Sequence, residues 1–242
     1  MNNMDKAIDW ILNAKRLVFF GGAGVSTASG IPDFRSSDGI FNIKYKYSPE
    51  EILSRTFFNR KPEVFYDFYK SKMIFPHILP NITHKVLVKL EEKGILSSIV
   101  TQNIDNLHQK AGSKNVIELH GNSYRNKCMK CKESYGIEYI INSESIPKCP
   151  NCGGIIKPEV ILYEEPLNQN VIENALDEIS HADVIVVAGT SLKVYPAASF
   201  LGYYRGSKLI IINDSKTEGD EWADIKVEMR LEEFFKKVDE LL

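Results

Sequence analysis

The chain has 242 residues, with 30 Lys and Arg against 32 Asp and Glu and a formal charge of −2. At 43% hydrophobic and 26% charged it has a globular composition, which excludes a disordered or fibrous chain, and its near-neutral balance excludes a dedicated nucleic-acid binder or a polybasic membrane anchor. No apolar run approaches the ~20 residues of a spanning helix, and Met1 to Lys6 lacks a basic segment leading into an apolar stretch, so a cytoplasmic location without a membrane partner is expected.

In chain order, Ala7, Ile8, Ile11 and Leu12 fall on one face of a helix over 5–12. Leu17 to Phe20 reads as a short buried strand running into the glycine-rich turn Gly21-Gly-Ala-Gly-Val-Ser26. Ser48-Pro-Glu-Glu51 has a capping-box pattern with proline in the first turn, so a helix starts there. Val64, Phe65, Phe68 and Tyr69 continue a helical face, and residues 84–93 read as a helix stopped by Gly94. Strand-like runs recur at Ile99–Thr101, Val116–Leu119, Asp183–Val187 and Leu209–Ile212, with helical patterns at 171–180, 196–204 and 231–241.

Short apolar strands alternating with helices predict an α/β fold built on a Rossmann-like parallel sheet covered on both faces. Two segments break that rhythm: 36–78, aromatic-rich and helical, and 125–156, which carries the cysteines. They are expected to form one smaller inserted domain, a helical module plus a zinc ribbon. The Rossmann-like domain would then comprise 1–35, 79–124 and 157–242, with a ligand cleft between the two. A monomer is expected.

The four cysteines come as Cys128-Met-Lys-Cys131 and Cys149-Pro-Asn-Cys152, a spacing that matches two zinc knuckles about 15–20 residues apart. Four soft sulfurs suit one tetrahedral zinc, and a filled shell leaves no place for a reacting water, so the metal would be structural. Two disulfides or a redox pair are the alternatives; without an export signal disulfides are disfavoured, and a redox pair needs only one of the two motifs.

A strand followed by Gly22-Ala-Gly24 and helix-forming residues is half of a dinucleotide fingerprint. Its glycines permit a tight turn and let the backbone approach a pyrophosphate at a helix N-terminus. Thr27 occupies the place of the third glycine, so alone the motif reads equally as a plain turn. Ala188-Gly-Thr-Ser191 follows a strand and can present amides and hydroxyls to phosphate, and Asn213 can hold a ribose hydroxyl. Each also reads as a polar loop at a sheet end.

Gly22-Ala-Gly-Val-Ser26, Gly30-Ile-Pro-Asp-Phe-Arg35, Thr101-Gln-Asn-Ile-Asp105 and His120-Gly121, followed by the paired cysteine motifs, resemble the sirtuin family of NAD-dependent protein-lysine deacylases. The resemblance continues through Lys157 to Glu165 and Gly189 to Pro196, and covers nearly the whole chain from Gly21 to Asp224. It implies that the acyl oxygen of an acylated lysine attacks C1′ of the nicotinamide ribose and that nicotinamide leaves. A histidine base then activates a ribose hydroxyl, and free lysine and O-acyl-ADP-ribose are released. His120 takes the base role by this resemblance, although as one of five histidines it reads on composition alone as a packed or surface residue.

By the same resemblance Asn103 serves catalysis and, with Asp105, binds the nicotinamide half, while Gln102 orients the ribose and His120. Phe34 moves over the reaction centre and excludes water, Arg35 meets the pyrophosphate, and Asp33 holds the carboxamide or shapes the loop. Gly22, Ala23, Gly24, Ser26, Ile104, Gly189, Thr190, Ser191, Asn213, Asp214 and the backbone near Ile225 resemble the remaining NAD contacts. An acylated-lysine peptide would add as a strand between 161–165 and 192–195, with Ile161, Tyr163 and Val194 as tunnel walls.

Two departures stand out. Where the family usually reads Phe-Gly-Glu, this chain has Tyr163-Glu164-Glu165, which is expected to put a charge beside the peptide groove and favour basic flanking residues. Tyr69-Lys-Ser-Lys72 falls near where an acidic-acyl subgroup carries Tyr-x-x-Arg, but lysine offers a point charge instead of a bidentate fork. Tyr69 and Lys72 are thus candidate contacts for a succinyl or malonyl group, the lesser alternative to acetyl; a solvated helix face accounts for both residues equally well. Mono-ADP-ribosyl transfer and NAD hydrolysis remain as alternatives, disfavoured by intact His120 and cysteines, as does a non-catalytic NAD-sensing or zinc-ribbon binding module, whose mild positive charge over 125–157 reads as a solvated face.

Overall fold

Leu17–Gly21 form strand β1, and all five residues are buried, as an inner strand of a parallel sheet covered on both faces must be. A computed structural model describes residues 2–34, 39–42 and 45–242. Helix α1 (Asn3–Leu12) precedes β1, starting where the Asn2 side chain accepts from Asp5 N at 2.8 Å. Three short helices follow: α2 (Pro49–Ile52), α3 (Arg55–Arg60) and α4 (Pro62–Lys72). Ser48 and Ser54 cap the first two through their hydroxyls, so the helix start expected at Ser48 is present and a second follows at Ser54.

The chain then returns to the main sheet through α5 (Ile82–Glu92), β2 (Leu96–Thr101), α6 (Leu107–Ala111) and β3 (Val116–Glu118). The cysteine segment contributes β4 (Gly121–Cys128), β5 (Ser134–Gly136), α7 (Ile137–Ile141) and β6 (Ile156–Val160). The main sheet is completed by α8 (Gln169–His181), β7 (Val184–Ala188), β8 (Leu209–Asn213), β9 (Ile225–Glu228) and α9 (Leu231–Leu241).

The large sheet has the order β3-β2-β1-β7-β8-β9, with every pair parallel. The chain leaves β1 in one direction and later restarts beside it with β7, so the order reverses at the β1–β7 pair. In open parallel sheets a ligand crevice forms outside the carboxyl ends of the strands at such a reversal. The pattern at 196–204 gives a tighter 3-10 helix over Ala197–Tyr203, in keeping with the weak helix formers Ser199, Phe200, Gly202 and Tyr203.

The second sheet, β5-β4-β6, is antiparallel. It starts at Gly121 and ends at Val160, running past the expected ribbon borders of 125 and 156 because the pairs Gly121↔Val160 and Asn122↔Glu159 close its root. Gly121 has φ +77°, and a Cβ there would lie 1.9 Å from Glu159 O. Only glycine lets β6 approach here. Phe58, Phe65, Tyr66 and Phe68 of the helical segment share one core with Cys128, Ile140, Cys149 and Ile156 of the cysteine segment. Tyr66 OH donates to Ile156 O at 2.5 Å and Lys70 Nζ to Ser143 Oγ at 2.6 Å, so two segments far apart in sequence pack as one body.

Two histidines are spent on packing. His84 in α5 and His108 in α6 are buried with ring centres 4.8 Å apart. Asn81 N donates to His84 Nδ1 at 3.3 Å, and the other three ring nitrogens have no partner among the described residues. Burial holds His84 at about 4 and, with His84 beside it, His108 well below its usual value. The unfolded chain binds protons here below about pH 6.5 and the folded chain does not until about pH 4. Stability is therefore full above pH 6.5 and falls as pH drops toward 4, with His84 alone accounting for roughly 3 kcal/mol. Urea midpoints followed from pH 7 to 4.5 should fall accordingly, and His84→Asn should flatten the slope. An unchanged slope would exclude His84 as its source.

Candidate active site at the sheet reversal

Loops after β1, β2, β3 and β7 meet at the crevice. Gln102, the first residue beyond β2, is still held by the sheet, its N–H donating to Gly21 O at 3.0 Å. Its carbonyl lies 3.0 Å from Nδ1 of His120. A carbonyl can only accept, so Nδ1 carries the proton and Nε2 of the neutral ring keeps its lone pair. Burial pushes His120 below its usual value, and the Gln102 bond pulls the other way. The ring is thus a neutral imidazole at pH 7, with one nitrogen free to take a proton. Gln102 Nε2 also donates to Thr190 Oγ1 at 3.2 Å, tying the β2 loop to the β7 loop.

Beside it runs a second chain of bonds. Ser26 Oγ donates to Asp105 Oδ2 at 2.6 Å and accepts from Asn103 Nδ2 at 3.2 Å. Asp105 Oδ1 accepts from Leu107 N at 2.9 Å. Burial lifts the Asp105 carboxyl above its usual range, while the Ser26 and Leu107 donors act against that. Ile104 O accepts both N–H and Oγ–H of Ser123, which fixes the loop to the root of the small sheet.

The glycines also serve packing. A Cβ on Gly22 would lie 2.7 Å from Gly189 O, one on Gly24 2.7 Å from Gly189 Cα, and one on Gly189, at φ +60°, 2.5 Å from Val25 N. Gly24 N donates to Gly189 O at 2.8 Å. These residues let the β1 and β7 loops interlock. The chain after Gly22 makes two 3-10 turns, Ala23–Val25 and Thr27–Ser29, in place of the expected helix. Gly30 at φ +96° ends them.

Ala23 and Ser191 are half-buried in these loops. Asn213 ends β8 with Nδ2 donating to Ser215 O at 3.3 Å, and Asp214 is exposed. Ile225 is buried in β9, so only its backbone can meet a ligand. Asp33 and Phe34 accept from Ile40 N and Phe41 N through their carbonyls, and the Phe34 ring lies 5.4 Å from that of Phe41. Arg35 lies outside the described residues. Ile161 N donates to His120 O at 2.9 Å, and its side chain lines two adjoining hollows of about 340 and 560 Å³. Val194 is half-buried, its carbonyl accepting from Ala198 N.

The cysteines form a separate centre. All four are free thiols, with their sulfurs within 4.8 Å of one another and two pairs at 3.5 Å. A tetrahedral zinc with bonds of about 2.3 Å needs sulfurs about 3.8 Å apart, so this donor set fits one zinc. Each knuckle closes alike: Lys132 N donates to Cys128 O and Gly153 N to Cys149 O, and both Lys132 and Gly153 have positive φ.

The sequence profile of the Sir2 family matches residues 22–196. The chain belongs to the Sir2 family. It is 54% identical over 229 residues to an NAD-dependent protein deacetylase of Clostridium perfringens, covering 93% of this chain and 94% of the relative. An NAD-dependent protein deacetylase of Staphylococcus aureus is 44% identical over 217 residues, covering 89% of each chain. Among solved structures, a Sir2 with deacetylated p53 peptide and 3′-O-acetyl ADP ribose matches with TM-score 0.90 and 40% identity, covering 98% of both chains. A Sir2 with p53 peptide and NAD matches with TM-score 0.88 and 38% identity, covering 100% of this chain and 98% of the other.

Two features of this Sir2 chain bear on its departures. Glu164 stands at φ +72°, the left-handed region that favours glycine. Its Oε2 accepts from Thr56 N at 2.9 Å in the first turn of α3, and the Thr56 hydroxyl together with that N–H holds its carboxyl below the usual range. The charge is turned onto the helical module. Tyr163, 41% exposed, is fastened to the same module, its N–H donating to Leu53 O and its carbonyl accepting from Arg55 N, each at 3.0 Å. Leu162 N is taken by Glu165 Oε2, so strand addition along 161–165 has fewer main-chain groups to use than expected.

Glu164→Gly removes backbone strain and the bond to Thr56 together, whereas Glu164→Ala removes only the bond. Thermal unfolding at pH 7 should place the alanine variant a few degrees below the glycine variant. The reverse order would show that the left-handed backbone is not imposed here.

Tyr69 is fully buried, stacked on Phe65 at 5.4 Å, and its hydroxyl has no partner among the described residues. It belongs to the apolar face of α4 with Phe65, Tyr66 and Phe68, so the solvated-face alternative is wrong for it; Lys72 is half-buried at the end of that helix. Sequence reasoning missed Tyr135, whose hydroxyl lies 3.0 Å from Cys149 Sγ, and Thr101, whose Oγ1 accepts from Asn103 N at 3.1 Å. The tyrosine shortly after the first knuckle was a usable signal for the former; nothing in a strand-end threonine marks the latter.

Proposed function

We propose that this chain is an NAD-dependent protein-lysine deacylase that removes acyl groups, acetyl before succinyl or malonyl, and yields free lysine, nicotinamide and O-acyl-ADP-ribose. The carrying observation is the imidazole of His120, with Nδ1 committed to Gln102 O and Nε2 left basic at the sheet reversal. When bound, NAD supplies an activated C1′ with nicotinamide as its leaving group. Asn103 and Asp105, braced by Ser26, hold the nicotinamide half together with Asp33. His120 accepts the proton of a ribose hydroxyl at Nε2, and Phe34 excludes water from the reaction centre. Ile161 and Val194 wall the acyl-lysine, and Arg35 meets the pyrophosphate.

The four cysteines hold one zinc, which closes its shell and supplies structure alone. Segments 1–35, 79–124 and 157–242 form the NAD-binding wall of the cleft, and 36–78 with 125–156 form the other. The partners are acylated proteins; the enzyme works as a cytoplasmic monomer, without nucleic acid or membrane. Among the described residues no helix is long and apolar enough to cross a membrane.

Incubation with acetyl-lysine peptide and NAD, followed by mass spectrometry, tests the reading. Deacylated peptide, nicotinamide and O-acetyl-ADP-ribose in equal amounts are expected. Nicotinamide release that ignores the peptide would make the chain a hydrolase, and untouched NAD would make it a binding module.

A further inference from the structure

Lys110 lies in α6, the short helix that leaves the Asp105 loop, and it is exposed. Its ammonium donates to Pro76 O at 3.0 Å, to Ile78 O at 3.5 Å and to the Tyr124 hydroxyl oxygen at 2.6 Å, and it sits 4.7 Å from the centre of the Tyr124 ring. An ammonium has three N–H donors, and here each has an oxygen. An exposed lysine normally spends them on water, because fixing its long stem costs rotamer entropy. These acceptors come from two other parts of the chain: the link from the helical module to α5, and strand β4 of the small sheet. The same link continues to Asn81, whose Nδ2 donates to Val25 O at 2.8 Å and Ser29 Oγ at 3.0 Å, behind Ser26.

We infer that Lys110 is a positioning residue of the NAD site: it fastens α6 to both neighbours and so fixes the Asp105 carboxylate that takes the nicotinamide half. The inference rests on the deacylase reading above. The groups facing Asp105 are the Ser26 hydroxyl from the β1 loop, the Leu107 N–H and Lys110 ammonium from α6, and the Glu118 carboxylate from β3. Lys110 favours the ionised form of Asp105 and Glu118 opposes it. Glu118 is itself engaged by Gln109, Asn122 and Arg125. No other residue of α6 has bonds to both neighbouring segments among those described.

The test is steady-state kinetics of the full chain with acetyl-lysine peptide and NAD across pH, for Lys110→Gln and Lys110→Arg. Loss of a charge-assisted bond predicts that Lys110→Gln raises KM for NAD about tenfold with a smaller change in kcat. It should also move the acid limb of kcat/KM for NAD to higher pH, because Asp105 loses a cation, and Lys110→Arg should restore both in part. Glu118→Gln should move the acid limb the opposite way. A Lys110→Gln protein that melts earlier yet keeps the wild-type KM and pH profile would reduce Lys110 to a structural fastener and overturn the inference while leaving the deacylase reading intact. Wild-type protein that leaves NAD untouched overturns that reading, and this inference with it. Should Lys110→Gln not fold, Tyr124→Phe removes one acceptor and must still raise KM for NAD, by less; an unchanged KM there counts against the role.

Discussion

Replacing His120 with alanine should lower NAD-dependent deacylation by about 10²–10⁴-fold, the usual worth of a positioned base, while the protein stays folded and keeps its metal. The ring makes one described hydrogen bond, to Gln102 O, so the substitution leaves a single carbonyl without its partner. That costs about 1–3 kcal/mol at most, less than a domain of this kind can lose before unfolding. Nicotinamide release in the presence of acylated peptide should survive, because departure of that group needs no base, so nicotinamide would outrun deacylated peptide. Quantifying both products in one reaction checks this. In the wild type, burial holds His120 below its usual value, so the acid limb of its base role should fall below about pH 6.5. A variant retaining most of its turnover would remove His120 from the base role.

Stripping zinc with a chelator should melt the smaller body of the molecule and leave the large sheet standing. Structural zinc in peptide-sized sites supplies about 10–16 kcal/mol of apparent binding free energy that is also folding free energy. Here the effect should spread, because Cys128 and Cys149 are buried in the same core as Phe58, Phe65 and Tyr66. Loosening the knuckles thus exposes the aromatic face of α4 as well. The large sheet keeps two cores of its own, one on each face. Calorimetry should resolve a low transition that the chelator abolishes and a high one that it leaves in place. Activity should vanish with the low transition, since β4 leaves directly from His120. Tyr135→Phe, which removes the hydroxyl at Cys149 Sγ, should release metal faster to a metallochromic dye. Intact small-domain calorimetry with all four thiols metal-free would refute the structural role.

The parallel strands were legible because burial on both faces leaves continuous apolar runs such as Val184–Ala188. Strand β4 was not, since Asn122, Ser123 and Asn126 are among its buried residues; internal hydrogen bonds replace the apolar alternation that a sequence pattern detects. Edge strand β9 was lost because Ile225-Lys-Val-Glu228 alternates apolar and charged residues and so forms no apolar run. At the site, the glycines at 22, 24 and 189 also let the β1 and β7 loops interlock. Loop-to-loop approach leaves no local signal. Composition could not separate His120 from His84 and His108, which are core residues; only the motif around it did. Lys110 was invisible because its three acceptors are main-chain and phenol oxygens from remote segments.

Gly121 sets a boundary for engineering. With no room for a Cβ beside Glu159 O, the joint between the base-bearing loop and the small sheet tolerates one residue type. A chimaera that imports another ribbon should therefore be spliced beyond the Asn122↔Glu159 pair, retaining the host's root and exchanging only the tip.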